Sequence, residues 1–202
     1  MANGRLPISA AVEGDVDEAV LRRIVEHIGL ELGNVYGREG KQRLLRRLGG
    51  YNNAARVSPW VVLVDLDGDF GCAPAFVQHW LAAPSQYMRF RVVVQAIEAW
   101  LMADRQRISA ALAINERRLP LDPDSVPQPK AVLVDLARHS KSRAIREEMV
   151  PRERSGRSVG PLYGARLRQF VLDEASGWRP DEAAAHSNSL RRCMESLRRF
   201  AQ

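Results

Sequence analysis

The stretch Trp60-Val-Val-Leu-Val-Asp-Leu-Asp-Gly-Asp-Phe-Gly71 decides the fold of this chain. Its apolar run, Val61–Val64, predicts a strand that is buried on both faces, as in parallel sheets. Asp65, Asp67 and Asp69 then follow at alternate positions. Ligands of open α/β sheets bind at the carboxyl ends of strands, and carboxylates crowded there repel one another unless a cation offsets their charge. The stretch therefore indicates a Mg²⁺ or Mn²⁺ site that handles phosphates, with a solvated acidic turn as the alternative.

The remaining elements predict an α/β order that becomes helical towards the C-terminus. Strands are expected at 8–12, 61–64 and 90–94, with a short strand or turn at 33–37. Helices are expected at 16–28, 41–55, 73–81, 96–103, 131–138, 142–149, 162–174 and 180–200. The fold class that follows is α/β: a mainly parallel sheet flanked by helices, with a helical C-terminal extension.

A proline-rich segment divides this order into domains. Residues 118–130 contain four prolines and are expected to form a connection. The prediction is an α/β domain over 1–117, the connection over 118–130, and a helical extension over 131–202 that packs on the same domain.

Composition narrows the class of protein. The chain has 202 residues, of which 46% are hydrophobic, enough for a sizeable core. No apolar run approaches the roughly 20 residues that span a bilayer, and the N-terminus does not resemble a signal peptide. Cys72 and Cys193 match no metal or redox spacing. A cytoplasmic protein without a membrane partner is the simplest expectation.

The positive charge of the chain is concentrated in its C-terminal part. Residues 1–129 carry 15 basic and 15 acidic residues, whereas 130–202 carry 15 basic and 9 acidic ones. Such an excess is typical of a surface that holds phosphates, with a solvated helix face as the alternative. Lys130, Arg143 and Arg146 are the predicted phosphate contacts, and nucleic acid or a nucleotide is the expected partner.

Two phosphate-handling motifs fit the sequence only in part. Gly37-Arg-Glu-Gly-Lys-Gln42 lacks the first glycine and the final Ser/Thr of a phosphate-binding loop. The Asp65-x-Asp67 pair suits a haloacid-dehalogenase phosphatase, with Asp65 as nucleophile and Asp67 as general acid. Asp69 stands where that family has threonine, and no later Gly-Asp-x-x-x-Asp pair completes the site. The phosphatase is therefore the third hypothesis.

A two-strand motif gives the closer resemblance. Val12-Glu13-Gly14, followed later by Asp65-Leu-Asp67, resembles the metal-binding motifs of Toprim domains, which occur in topoisomerases, primases and OLD-family nucleases. In those families a strand-end glutamate and an Asp-x-Asp pair hold Mg²⁺ and act on phosphodiesters. The resemblance implies that Glu13, Asp65 and Asp67 are metal ligands, with Asp69 in support.

Further segments resemble a mostly bacterial Toprim-like family of unknown function that is related to the OLD nucleases. They are Ala96-Ile-Glu-Ala-Trp-Leu-Met-Ala-Asp104, Gln128-Pro-Lys130, Val159-Gly-Pro-Leu-Tyr163 and Ala183-Ala-Ala-His-Ser-Asn-Ser-Leu190. The family usually has two glutamates where this chain has Ala96 and Glu98. Glu98 opens a predicted helix directly after a strand and is therefore the expected further catalytic acid, in preference to Asp104.

Two functions of different classes follow from these motifs. The first is divalent-metal-dependent phosphodiester hydrolysis by Glu13, Asp65, Asp67 and Glu98 with Mg²⁺ or Mn²⁺, in phage defence or DNA processing. The second is a partner protein that binds metal and nucleic acid without cutting. Ala96 favours the second hypothesis, and the intact Asp-x-Asp pair favours the first.

Overall fold

A four-stranded parallel sheet forms the centre of the fold. The computed structural model describes residues 6–201. The strands are β1 (Ile8–Val12), β2 (Leu32–Gly37), β3 (Trp60–Asp65) and β4 (Met88–Val93), in the order β2-β1-β3-β4. All three neighbouring pairs are parallel, so the carboxyl ends of the four strands lie along one edge of the sheet. The predicted α/β class, with helices flanking a parallel sheet, is confirmed.

Eleven α-helices accompany the sheet within residues 6–201. They are α1 (Asp15–His27), α2 (Lys41–Arg46), α3 (Leu48–Ala54), α4 (Ala73–Trp80), α5 (Ile97–Ala103), α6 (Arg105–Ala111), α7 (Pro129–Arg138), α8 (Arg143–Met149), α9 (Tyr163–Leu172), α10 (Pro180–His186) and α11 (Asn188–Arg198). In the same residues, no helix is both long and apolar enough to cross a membrane.

The chain forms two compact units. The first runs to Val94 and takes in the chain from Arg192 onwards; the second is Gln95–Arg191. The predicted connection, 118–130, lies within the second unit. It contains the 3₁₀ helix Pro123–Ser125 and the last residue of another 3₁₀ helix, Glu116–Arg118. The division into 1–117, 118–130 and 131–202 stays a prediction, and its outermost residues, 1–5 and 202, lie outside the described residues.

The first unit is built on the central strand β3. All six of its residues are buried, as the uninterrupted apolar run predicts. Its neighbour in the sheet, β1, leads into α1, whose first turn carries Asp15, Asp17 and Glu18, where acidic side chains favour the helix dipole. The same helix buries Val20, Leu21 and Ile24 on its inner face.

The second unit is built around a helix that is buried on every side. All seven residues of α5 are buried, and Trp100 is fully enclosed. The Trp100 indole donates a hydrogen bond to the Ser189 hydroxyl (3.2 Å), and the Trp178 indole donates to the Trp100 carbonyl (3.1 Å). Both indole N–H groups are therefore satisfied inside the core, as buried tryptophans require.

Two helix predictions need correction, and one helix is absent from the predictions. The predicted helix 41–55 is two helices that meet at Arg47, because α3 contains Gly-Gly and Asn-Asn, which favour helices weakly. The predicted helix 180–200 is interrupted at Ser187. Helix α6 was not predicted; it begins at the Asp104 cap, whose carboxylate accepts the Arg107 N–H.

Candidate functional site: the acidic edge of the sheet

The first two predicted ligands meet at the carboxyl edge of the sheet. Glu13 follows the end of β1, and Asp65 is the last residue of the adjacent strand β3. The Asp65 backbone N–H donates a hydrogen bond to Glu13 Oε1 at 2.7 Å. The parallel pairing of the two strands thus brings residues 52 positions apart into direct contact. We call Glu13, Asp65, Asp67 and Asp69 the acidic edge.

The other two aspartates of the acidic edge bind a lysine. Asp67 and Gly68 have left-handed backbones (φ 53° and 76°), which turn the chain sharply after β3. The Lys41 ammonium lies 2.7 Å from Asp69 Oδ2 and 3.3 Å from Asp67 Oδ2, and it donates to the Leu66 carbonyl at 3.1 Å. A cationic group therefore already lies among these oxygens.

The loop between β2 and α2 holds Lys41 in this position. The Arg38 N–H donates to the Val12 carbonyl (2.8 Å), and the Gly40 N–H donates to the Glu13 carbonyl (3.0 Å). Gly37 has a φ of 89°, and a Cβ there would lie 2.3 Å from the Val12 carbonyl oxygen. Only glycine allows this approach, so the loop is fixed against the end of β1 and Lys41 opens α2 beside the acidic edge.

Burial and the neighbouring carboxylates shift the pKa values of two groups at this edge. Burial raises the pKa of Glu13 from 4.5 to about 7; the hydrogen bond from Asp65 opposes this rise and the charge of Asp17 adds to it. Burial alone would lower the pKa of Lys41, but Asp69 and Asp67 outweigh it and raise that pKa. Lys41 therefore stays charged, while Glu13 titrates near neutral pH.

Glu13 makes the stability of the protein depend on pH. A carboxyl group whose pKa is higher in the folded state stabilises the fold below its unfolded pKa, and this stability is lost as pH rises through the folded value. We expect Glu13→Gln to match wild type at pH 4 and to exceed it above pH 7, by about 2 kcal/mol in the free energy of unfolding.

Urea unfolding across this pH range would measure the difference. Glu26→Gln, at an exposed position of α1, is the matched control and should show no such gain. A constant difference between Glu13→Gln and wild type from pH 4 to pH 8 would contradict the assignment.

The acidic edge fits a divalent cation in its chemistry. Mg²⁺ and Mn²⁺ prefer carboxylate oxygens, and the Lys41 ammonium acts as a stand-in cation between Asp67 and Asp69. As the side chains stand, however, no group of three or more His, Cys, Asp or Glu residues within 6–201 is arranged to hold a metal. A metal at this edge would therefore have to displace Lys41.

Glu98 belongs to a separate cluster in the second unit. Its carboxylate is 2% exposed and lies in the first turn of α5. Tyr163 Oη donates to Glu98 Oε1 at 3.0 Å, and the Lys130 ammonium lies 3.8 Å from the same oxygen. In the described part of the chain, Glu98 Oε2 is buried without a hydrogen-bond partner. Burial, then the charge of Glu98, raises the pKa of Tyr163, which keeps its proton for this bond.

The alternative acid, Asp104, has a structural role. It is buried, and it accepts hydrogen bonds from the Arg179 backbone N–H (3.0 Å), from Arg179 Nε (3.0 Å) and from Arg179 Nη2 (2.7 Å). These bonds consume the oxygens that a metal would need.

The predicted phosphate contacts all have protein partners. Lys130 lies beside Glu98, Arg143 pairs with Glu147 at 2.7 Å, and Arg146 donates to the Ser140 carbonyl. Their role in phosphate binding stays a prediction, and each would have to exchange a present contact for a ligand.

Two residues of these clusters are not predicted as site residues from the sequence. Lys41 stands in an incomplete phosphate-binding loop, and Tyr163 stands in a segment that resembles the Toprim-like family. A lysine directly after a strand–glycine loop is a signal that could have pointed to Lys41. No local pattern links Tyr163 to Glu98, because 65 residues separate them.

Comparisons with known proteins identify no relative of this chain. No protein-family model, no curated protein and no solved structure matches this chain.

Proposed function

We propose that the protein is a divalent-metal-dependent phosphodiester hydrolase that acts on nucleic acid or nucleotides in the cytoplasm. Glu13 and Asp65 are the proposed first ligands of Mg²⁺ or Mn²⁺, with Asp67 and Asp69 joining them once the cation displaces Lys41. The role of Glu98 as a further catalytic acid stays a prediction from the sequence. The Toprim-like motifs of the sequence agree with this assignment.

The contact between Glu13 and Asp65 is the observation that carries the proposal. A backbone N–H satisfies one oxygen of Glu13, yet burial still raises its pKa to about 7. A nearby cation favours the ionised form of such a carboxyl group. A divalent cation would also lower the pKa of a bound water and offset negative charge on the leaving oxygen, which is the chemistry that phosphodiester hydrolysis needs.

A metal- and nucleic-acid-binding protein without activity is the second candidate. Lys41 already neutralises part of the charge of Asp67 and Asp69, and Ala96 offers no carboxylate. Two-metal hydrolysis requires a second cation about 4 Å from the first. Both features reduce the negative charge that is available to bind that second cation. Binding without cleavage is the result that would favour this candidate.

A cleavage panel tests the proposal. The substrates are DNA, RNA, a cyclic dinucleotide, bis-p-nitrophenyl phosphate and p-nitrophenyl phosphate, each with Mg²⁺, Mn²⁺ or EDTA. We expect hydrolysis of phosphodiesters that is stronger with Mn²⁺ than with Mg²⁺ and absent with EDTA. Asp65→Asn should reduce the rate by at least about 100-fold.

Each outcome of the panel decides between the candidates. If wild type forms no more product than Asp65→Asn on any substrate, the hydrolase proposal is wrong. Cleavage confined to p-nitrophenyl phosphate would favour the phosphatase hypothesis instead. Glu147→Gln, an exposed acid-to-amide change on α8, is the matched control and should leave the rate unchanged.

A further inference from the structure

An arginine-bearing loop joins α8 to α9 in the second unit. We define the arginine loop as Pro151–Pro161, which contains Arg152, Arg154 and Arg157. All three side chains are exposed, and within residues 6–201 none of them forms an ion pair or a side-chain hydrogen bond. Glu153, the acid of this loop, is likewise exposed and joins none of them in an ion pair. The loop therefore presents three guanidinium groups with all their donors available.

Neighbouring arginines of the same unit are engaged. Arg143 pairs with Glu147, Arg166 pairs with Glu148, and Arg179 pairs with Asp104. Acidic side chains therefore compensate these three arginines, whereas none compensates those of the arginine loop within residues 6–201.

Backbone contacts fix the base of the arginine loop. The Gly160 N–H donates to the Met149 carbonyl and the Leu162 N–H to the Glu148 carbonyl, both at 2.9 Å. A Cβ at Gly160 would lie 2.4 Å from the Glu148 carbonyl oxygen, so this approach requires glycine. The loop is thus anchored where it meets α8, and its guanidinium groups are borne on a defined turn.

The same loop lines a cavity that is partly open to solvent. It measures about 430 Å³ and is lined by Pro151, Arg152, Ser155, Arg157, Val159 and Pro161. This volume lies in the range of small-ligand sites, about 300–1,000 Å³. Two arginines are among its lining residues, and guanidinium groups bind phosphate oxygens with charge-assisted hydrogen bonds. Arg154 has a left-handed backbone (φ 59°), as does Gly156 (φ 67°), which turns the loop around the cavity.

We propose that the arginine loop binds a backbone phosphate of nucleic acid in this cavity, through Arg152 and Arg157. The choice of nucleic acid over other phosphate-bearing ligands rests on the proposed phosphodiester hydrolysis. The anion site itself rests on the loop.

Binding of a short fluorescein-labelled DNA duplex, measured by anisotropy over a salt series with EDTA present, tests this proposal. Arg152→Gln/Arg157→Gln should weaken binding on the order of 100-fold, about tenfold for each charge-assisted contact. It should also reduce the slope of log K against log salt by about 1, because one phosphate contact is lost. The matched control, Arg168→Gln/Arg191→Gln, removes the same charge from exposed helix positions of the same unit and should leave the slope unchanged.

Competition assays separate the possible ligands. Unlabelled duplex should displace the probe far more effectively than inorganic phosphate, AMP or a polyglutamate peptide. Equal slopes for the two double variants would overturn the proposal, as would equal competition by polyglutamate or binding of inorganic phosphate alone. The binding assay contains EDTA, so its result does not depend on metal-dependent cleavage. If the protein binds DNA through this loop but cleaves no substrate, only the proposed hydrolase is contradicted.

Discussion

Lys41→Met is expected to strengthen Mn²⁺ binding about tenfold or more, and Asp65→Asn is expected to abolish it. The Lys41 ammonium lies 3.3 and 2.7 Å from Asp67 and Asp69, so it would compete with a metal for their oxygens. Removing one unit charge at such distances is worth at least about 1 kcal/mol even in a water-like dielectric, and more near a protein surface. Methionine retains an apolar stem against Phe76, over which the lysine now lies. Calorimetric titration with Mn²⁺ at constant pH measures both effects.

A neighbouring arginine provides the control for Lys41. Arg43→Met removes the same charge from the same helix, but its guanidinium is 65% exposed and pairs with Glu39. It should leave Mn²⁺ affinity within about twofold, because exposed charges are strongly screened. Equal affinity in Lys41→Met and Arg43→Met would mean that Lys41 does not compete for the metal.

Arg179→Met is expected to lower the free energy of unfolding by about 3 kcal/mol or more. Asp104 is 2% exposed, and three of its hydrogen bonds come from Arg179. The substitution keeps the backbone donor but removes the positive charge, and a buried carboxylate without its partner costs about 3–5 kcal/mol. Denaturant unfolding followed by tryptophan fluorescence reports on this unit directly, because Trp100 and Trp178 lie in its core.

Two further variants isolate the buried charge. Arg143→Met breaks an exposed pair on α8 and should cost less than about 0.5 kcal/mol. Asp104→Asn/Arg179→Met removes the charge together with its partner and should be more stable than Arg179→Met alone. A cost for Arg179→Met no larger than that for Arg143→Met would contradict this account of Asp104.

The buried strand β3 and the acids after it can be predicted from the sequence, because the patterns that indicate them are local. The apolar run of β3 predicts a strand buried on both faces, and the acids after it follow from the carboxyl-end rule for parallel strands. The same rule brings Glu13 to Asp65. The contact of Lys41 with Asp67 and Asp69 depends instead on how β2 pairs with β1, which a single sequence does not specify.

The helical part is harder to read because distant residues set its boundaries. The predicted helix 180–200 is broken at Ser187, whose hydroxyl donates to Asp124 at 2.7 Å and accepts the Leu190 N–H. Asp124 lies 63 residues earlier, in the proline-rich segment. Similarly, the partners of Glu98 come from α7 and α9. The spacing of apolar residues along a helix does not reveal such long-range hydrogen bonds.

An anomalous difference map from crystals grown with Mn²⁺ tests the central claim most directly. The account predicts a peak at the acidic edge within about 2.0–2.5 Å of carboxylate oxygens of Glu13 and Asp65, with the Lys41 ammonium withdrawn from Asp67 and Asp69. A map without a peak at this edge, with Lys41 still bound to both aspartates at saturating Mn²⁺, would contradict it.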